Sequence, residues 1–137
     1  MRIAIAGLLI ATGTLSADDI KKDVKGDVKL INSIEGSALY KAYCSSCHGQ
    51  DAKGGGPVQA SLKVPPPDLT RIAMRRGGVF PLKEVSGIIA GQVGVTAHGS
   101  REMPVWGPIF SQVTVDQDLG RVRIDNLARY LRDIQVK

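Results

Sequence analysis

Both cysteines of this 137-residue chain lie in one short stretch, YCSSCHG, which runs from Tyr43 to Gly49. Cys44 and Cys47 are separated by two residues, and His48 follows directly. A disulfide between them would close a very small ring and stabilise the fold little, because the entropy lost by the unfolded chain grows with loop length. The pair is therefore expected to bind something rather than to cross-link the chain.

The grouping Cys-x-x-Cys-His is the attachment motif of a c-type haem. Each thiol adds across one vinyl group of the porphyrin, and a two-residue gap on a helical turn brings both sulfurs to the ring edge. The adjacent His48 can then bind the iron as the proximal ligand. Aromatic residues make up only 4% of the chain, and so small a domain gains from a buried cofactor that completes its core. The motif predicts one covalently bound haem c.

Other uses of these residues explain the sequence less well. A redox-active dithiol needs no His48 and usually lies beside a βαβ pattern. A structural zinc site needs four ligands, but the only other histidine is His98 and no other thiol exists. The glycines at 54–56 suggest a phosphate loop, yet no Lys-Ser/Thr follows them and no strand precedes them.

A protein ligand on the opposite side of the iron would close the site for electron transfer, whereas an open position would allow small molecules to bind. We rank Met103 first, because Pro104 follows it in a non-helical stretch far along the chain from His48. His98 comes second and would give a bis-His site of lower potential. Met74 comes third, because a methionine within a helical stretch is more often core packing.

The N-terminus has the layout of a secretory signal peptide. A positive start precedes an apolar run at 3–15, small residues follow, and the sequence then becomes abruptly charged. The apolar run is too short to span a bilayer comfortably. We predict a signal peptide over residues 1–17, an N-terminal extension over 18–33 and one domain over 34–137. The mature chain is thus expected to be periplasmic or otherwise exported, with no membrane span.

Apolar spacing and capping residues predict a mostly α domain with Gly- and Pro-rich loops. Residues 92–114 show no periodicity and are expected to form a long structured loop. The expected helices are residues 34–46 capped by Ser33, residues 69–76 capped by Asp68, a helix between Pro81 and Gly91, and residues 119–135. The arginines of the last helix are expected to point mostly away from its apolar face: Arg121, Arg123, Arg129 and Arg132.

The formal charge of +5 favours acidic protein partners. The basic residues are scattered and are not interleaved with aromatics, so the sequence argues against nucleic acid as a partner.

From about Ile34 to Val136 the chain resembles a class I monohaem cytochrome c. GSALYKAYCSSCHG resembles the family's N-terminal helix and haem motif, MPVWG its Met-Pro loop, and LARYLRDI its C-terminal helix. The resemblance implies the class I cytochrome c fold, with helices and Gly/Pro-rich loops wrapped around one covalent haem.

The resemblance also implies roles for individual residues. Cys44 and Cys47 would form the thioether links, His48 would be the proximal ligand and Met103 the distal one. Pro57 stands where the family often has a proline whose carbonyl accepts the Nδ1 hydrogen of the ligand histidine.

A further implied feature is close packing between the first and last helices of the domain. It would bring Gly36 against Tyr130 or Leu131, because a glycine permits the backbones to approach.

The function implied is single-electron transfer between redox partners with acidic docking surfaces. The chain would act as an exported carrier or as the cytochrome subunit of an oxidoreductase, and not as an enzyme itself. Two alternatives remain at this point: a haem-based sensor or peroxidase-like enzyme with an open sixth position, and a bis-His cytochrome that uses His98.

Overall fold

A computed structural model describes residues 30–92, 103–111 and 117–137 of the chain. This part is helical and contains no strand. Short 3₁₀ turns at Gln59–Ser61 and Leu69–Arg71 lie between the helices. The α-helices are α1 (Gly36–Tyr43), α2 (Ser45–His48), α3 (Ile72–Arg75), α4 (Leu82–Ala90), α5 (Trp106–Ser111) and α6 (Gln117–Asp133). The predicted signal peptide and most of the predicted extension lie outside the described residues.

The first predicted helix is two helices in the structure. Helix α1 begins after Glu35, whose N–H donates to Ser33 Oγ over 3.1 Å, so the predicted cap lies two residues outside the position that caps the helix. At Cys44 the chain leaves the regular path of α1 and starts the short helix α2. The prediction of one helix over 34–46 is therefore wrong at both ends, and the break falls on the first cysteine.

Helices α1 and α6 touch at Gly36, as the resemblance implies. A Cβ atom on Gly36 would lie 2.3 Å from the backbone oxygen of Asn126 and 2.6 Å from Cβ of Tyr130. Across the same contact, Asn126 Nδ2 donates to the backbone oxygen of Ile34 over 2.8 Å. The predicted contact with Tyr130 is confirmed.

In the middle of the domain, the residues predicted to begin and end helices do so in the structure. Asp68 caps the 3₁₀ turn that leads into α3, because its carboxylate accepts from Thr70 N–H over 2.8 Å. Helix α4 begins after Pro81 and ends at Gly91, which has the left-handed conformation common at helix C-termini. The predicted helix over 69–76 is thus a 3₁₀ turn followed by one α-helical turn.

The core forms where α6 packs against α1, α4 and α5. The largest fully buried side chains come from three of these helices: Tyr40, Phe110, Leu39 and Leu127. Helix α5 comes close to α4 at Gly107, where a Cβ would lie 2.5 Å from the backbone oxygen of Ala90. Small residues therefore set the distances between the helices.

The expectation of a long loop over 92–114 is wrong for its described part. Residues 106–111 form α5, and Phe110 is fully buried. Periodicity could not reveal so short a helix, and Pro108 stands in its first turn, where a proline removes no helical hydrogen bond. Residues 93–102 and 112–114 of this region lie outside the described residues.

Arg123 departs from the expected outward orientation of the arginines on α6. Only 5% of Arg123 is exposed, and its Nε and Nη1 are buried without a hydrogen-bond partner among the described residues. The arginines that do point outward are Arg121, Arg129 and Arg132.

None of the helices in the described residues is both long enough and apolar enough to cross a membrane.

Candidate haem site

The two cysteines and His48 share one tight turn of the chain. Cys44 lies at the break between α1 and α2, and its carbonyl accepts from the N–H groups of Cys47 and His48, over 3.2 and 2.9 Å. Cys47 and His48 lie on α2 itself. Both cysteines are free thiols and half-buried. The break after Tyr43 thus brings two thiols and one imidazole to a single short element.

The backbone that follows His48 is held at two consecutive carbonyls. The carbonyl of His48 accepts from Gly54 N–H over 2.8 Å, and that of Gly49 accepts from the Tyr40 hydroxyl over 2.7 Å. Gly49 has φ 78°, and a Cβ there would lie 2.2 Å from the backbone oxygen of Gly54. Only glycine fits at position 49, because both its conformation and its surroundings exclude a side chain.

Pro57 lies in a loop that is bonded to the cysteine turn on either side of it. Gly56 N–H donates to the carbonyl of Cys47 over 3.2 Å, and Val58 N–H donates to the carbonyl of Ser46 over 3.1 Å. A Cβ on Gly56 would lie 2.2 Å from the backbone oxygen of Ser46. The loop therefore lies directly against α2. That the Pro57 carbonyl accepts from the imidazole of His48 stays a prediction.

The segment after Met103 contacts the helix end that precedes Cys44. Met103 itself is half-buried and packs against the hydrophobic core. Three residues later, the ring of Trp106 lies 5.1 Å from that of Tyr43 and stacks on Phe110 at 5.4 Å. Tyr43 directly precedes Cys44. The start of α5 therefore packs against the helix end next to the first cysteine.

Met74 and His98 are the other two candidate distal ligands. Met74 is 55% exposed on α3, so the expectation that it packs in the core is wrong. His98 lies outside the described residues.

Burial controls the ionisation of two groups near the site. It raises the pKa of the Cys44 thiol to about 12, with the nearby Cys47 adding to the effect, so Cys44 is protonated at neutral pH. Burial is also the main cause that raises the pKa of Tyr40 above its usual range. The Tyr40 hydroxyl therefore stays protonated and can donate a hydrogen bond to the Gly49 carbonyl.

The residues present fit a covalently attached haem. Two thiols and an imidazole share one turn, and the thioether of Met103 packs against the hydrophobic core. Within the described ranges, no group of three or more Cys, His, Asp and Glu side chains is arranged to hold a metal ion. Two thiols suit the two thioether bonds of a porphyrin, and an imidazole suits its iron.

The family model for cytochrome c oxidase, cbb3-type, subunit III, matches residues 33–131. The chain belongs to this cytochrome c family. Family membership confirms a c-type monohaem cytochrome domain with a helical fold, a covalently bound haem c, iron binding and a place in electron transport. Neither a curated protein nor a solved structure matches the chain.

Sequence reasoning missed the residues that support the cytochrome's haem motif. The Tyr40 hydroxyl, the close approach of Gly56 and the contact between Tyr43 and Trp106 all join segments distant in sequence. One available signal was Tyr40 itself, four residues before Cys44, because residues four apart lie on the same face of a helix.

Proposed function

We propose that this cytochrome is exported and transfers single electrons between redox partners through an iron ligated by His48 and Met103. It acts as a soluble carrier or as the cytochrome subunit of an oxidoreductase, and performs no catalysis of its own. The matched family is described as an oxidase subunit, which supports the second setting. The observation that carries the proposal is the contact of Trp106, three residues after Met103, with Tyr43, which directly precedes Cys44.

Each site residue has a defined task in this proposal. Cys44 and Cys47 would hold the haem through thioether bonds, each S–H adding across one vinyl group with the hydrogen going to the other vinyl carbon. When bound, the haem supplies a one-electron ferric/ferrous couple. His48 would offer a ring-nitrogen lone pair to the iron. Met103 would offer a thioether sulfur, a ligand that favours ferrous iron and raises the reduction potential.

In this proposal the fold restrains the segments that carry both ligands. Hydrogen bonds to the carbonyls of His48 and Gly49 would hold the proximal side, and the Tyr43–Trp106 contact together with Pro104 would restrain the distal loop. If both ligands stay bound in the two oxidation states, little of the protein has to move on electron transfer. Such a site would suit a carrier rather than a sensor.

The surface beside the cysteine turn suits an acidic partner. The loop bonded to Ser46 and Cys47 carries two exposed lysines, Lys53 and Lys63, against one exposed carboxylate, Asp51. Val58 in the same loop is 40% exposed. Positive charge around an apolar centre steers a partner of negative charge and then allows close contact. We propose that redox partners dock here with acidic surfaces.

The first experiment is an optical spectrum of the haem-loaded protein, oxidised and reduced, with and without carbon monoxide. We expect a low-spin spectrum with the weak far-red methionine–iron band, and no change with carbon monoxide. A high-spin spectrum or ready carbon monoxide binding would contradict the closed site and favour a sensor or peroxidase-like enzyme.

The distal ligand is tested by Met103→Ala, with Met74→Ala as the matched control. Met103→Ala is expected to lose the far-red band, bind carbon monoxide and lower the reduction potential, because the thioether that favours ferrous iron is gone. Met74→Ala removes an exposed methionine and is expected to leave all three unchanged. If Met103→Ala keeps the parent's ligation and potential, another residue is the distal ligand.

A further inference from the structure

Tyr40 carries a hydroxyl that core packing does not require. The residue is 2% exposed, and a phenylalanine would fill nearly the same volume. A buried hydroxyl is costly to desolvate unless it is hydrogen-bonded. Here it donates to the carbonyl of Gly49 over 2.7 Å, directly after the proposed proximal ligand His48. The hydroxyl thus bonds the turn formed by His48 and Gly49, the ligand turn.

This bond is the shorter of two that hold the Gly49 carbonyl. Ala52 N–H reaches the same oxygen over 3.3 Å, while Gly54 N–H holds the carbonyl of His48 over 2.8 Å. The Tyr40 hydroxyl is the only side-chain donor among these three. It therefore connects the ligand turn to helix α1, whereas the two amides connect it only to the loop that follows.

The position of the hydroxyl is fixed by the contact between α1 and α6. The Tyr40 ring lies 5.5 Å from the ring of Tyr130, and one turn earlier Gly36 meets the backbone of Asn126. Close-packed rings in a core have little freedom to move. The helix pair thereby presents a fixed donor to the residue that follows His48.

We propose that Tyr40 is a positioning residue for the proximal ligand and that its hydroxyl sets part of the reduction potential. This inference rests on the proposed role of His48. Groups that hold a ligand histidine orient its ring and adjust how strongly it donates to the metal. The hydroxyl also offsets the negative end of the Gly49 carbonyl dipole, and without it that partial charge would favour ferric iron.

The test is Tyr40→Phe in the haem-loaded full chain, with Thr70→Val as the matched control. Thr70 is 5% exposed, and its hydroxyl donates to Asp68 Oδ1 over 2.6 Å. Each variant thus loses one buried hydroxyl donor with little change in volume, but only Tyr40→Phe loosens the His48 turn. Three readouts are compared: the reduction potential, the NMR signals of the His48 ring in the reduced protein, and hydrogen exchange of the Gly54 amide.

We expect both variants to melt at a lower temperature than the parent. Only Tyr40→Phe is expected to lower the potential, shift the His48 ring signals and accelerate exchange at Gly54. A Tyr40→Phe potential and His48 spectrum equal to those of the parent would overturn the proposal, and so would equal shifts in Thr70→Val. The parent's own spectrum tests the proposed His48/Met103 function, so failure of that function and failure of the Tyr40 role are read from different measurements.

Discussion

At the scale of single residues, Gly36 shows how one missing side chain sets the distance between two helices. The backbone oxygen of Asn126 and Cβ of Tyr130 occupy the space that a Cβ would need. Neither is the far end of a flexible side chain, so neither can move aside without shifting α6. The contact therefore depends on glycine for space.

Gly36→Ala is expected to lower the free energy of unfolding by about 1–3 kcal/mol, the usual cost of forcing extra atoms into a packed contact. Chemical denaturation of the haem-loaded protein measures this. Ser37→Ala is the control, because Ser37 is exposed at the next position of the same helix. A Gly36→Ala variant as stable as Ser37→Ala would mean that the helices can separate without cost.

Asp68 is a residue whose contribution depends on pH. Its carboxylate accepts from the hydroxyl of Thr70 over 2.6 Å and from the N–H of Thr70 over 2.8 Å. The hydroxyl bond is the main cause that lowers the pKa of Asp68, and nearby arginines add to it. Because the folded pKa lies below the unfolded value of about 3.9, the stabilisation is complete above that value. It is lost as pH falls through the folded pKa.

Asp68→Ala is therefore expected to cost about 1 kcal/mol at neutral pH, the typical cost of losing a helix cap. The difference from the parent should shrink as the pH is lowered below about 4. Thermal unfolding across that range measures it. Asp133→Ala, which removes a more exposed carboxylate at the end of α6, is expected to show neither effect. A pH-independent difference for Asp68→Ala would contradict the assigned cap.

At the scale of elements, α6 organises the domain and contains one feature against its own stability. Its apolar face packs against α1, α4 and α5. Arg123 lies on the same helix and is buried. Two of its nitrogens are buried with no hydrogen-bond partner among the described residues. An uncompensated buried charge destabilises a fold, and apolar replacements of buried charged groups are often neutral or stabilising.

Arg123→Met is expected to keep or raise the melting temperature of the haem-loaded protein, because methionine fills similar space without a charge to desolvate. Arg121→Met on the exposed face of the same helix controls for the change in net charge. A loss of about 3–5 kcal/mol in Arg123→Met alone would instead mean that an anionic group pairs with the guanidinium.

At the scale of the whole molecule, the net charge of +5 is the property that acts at a distance. Exposed charges interact over roughly 10 Å at 0.1 M salt. Attraction towards a negative partner therefore weakens as salt is added. Lys53 and Lys63 lie in the loop against the cysteine turn, at the proposed docking surface.

Oxidation of the reduced protein by ferricyanide, an anion, is expected to slow as ionic strength rises, while oxidation by a cationic cobalt complex should accelerate. Stopped-flow kinetics measures both. Lys53→Glu should reduce the ferricyanide rate at low salt more than Lys137→Glu, which makes the same charge change at the far C-terminus. Equal effects of the two variants would show that only net charge matters and that no local docking surface exists.

The sequence by itself determined the haem motif, the helical class, the cap at Asp68 and the places of α4 and α6. These depend on neighbours in the chain, such as the spacing of Cys44, Cys47 and His48 and the apolar periodicity along α6. The last helix lies near its predicted place because local signals dominate there. The contact of Gly36 with Tyr130 came from resemblance to a family and not from any local pattern.

Only the tertiary structure decided what supports the site. The break at Cys44, the burial of Arg123, the exposure of Met74 and the helix at Trp106–Ser111 all depend on packing between distant segments. The bond from Tyr40 to Gly49 joins α1 to the turn after His48, and the tyrosine ring that donates it packs against Tyr130 of α6. Local sequence sets which atoms can bind a haem, whereas the three-dimensional contacts of those atoms set how firmly they are held.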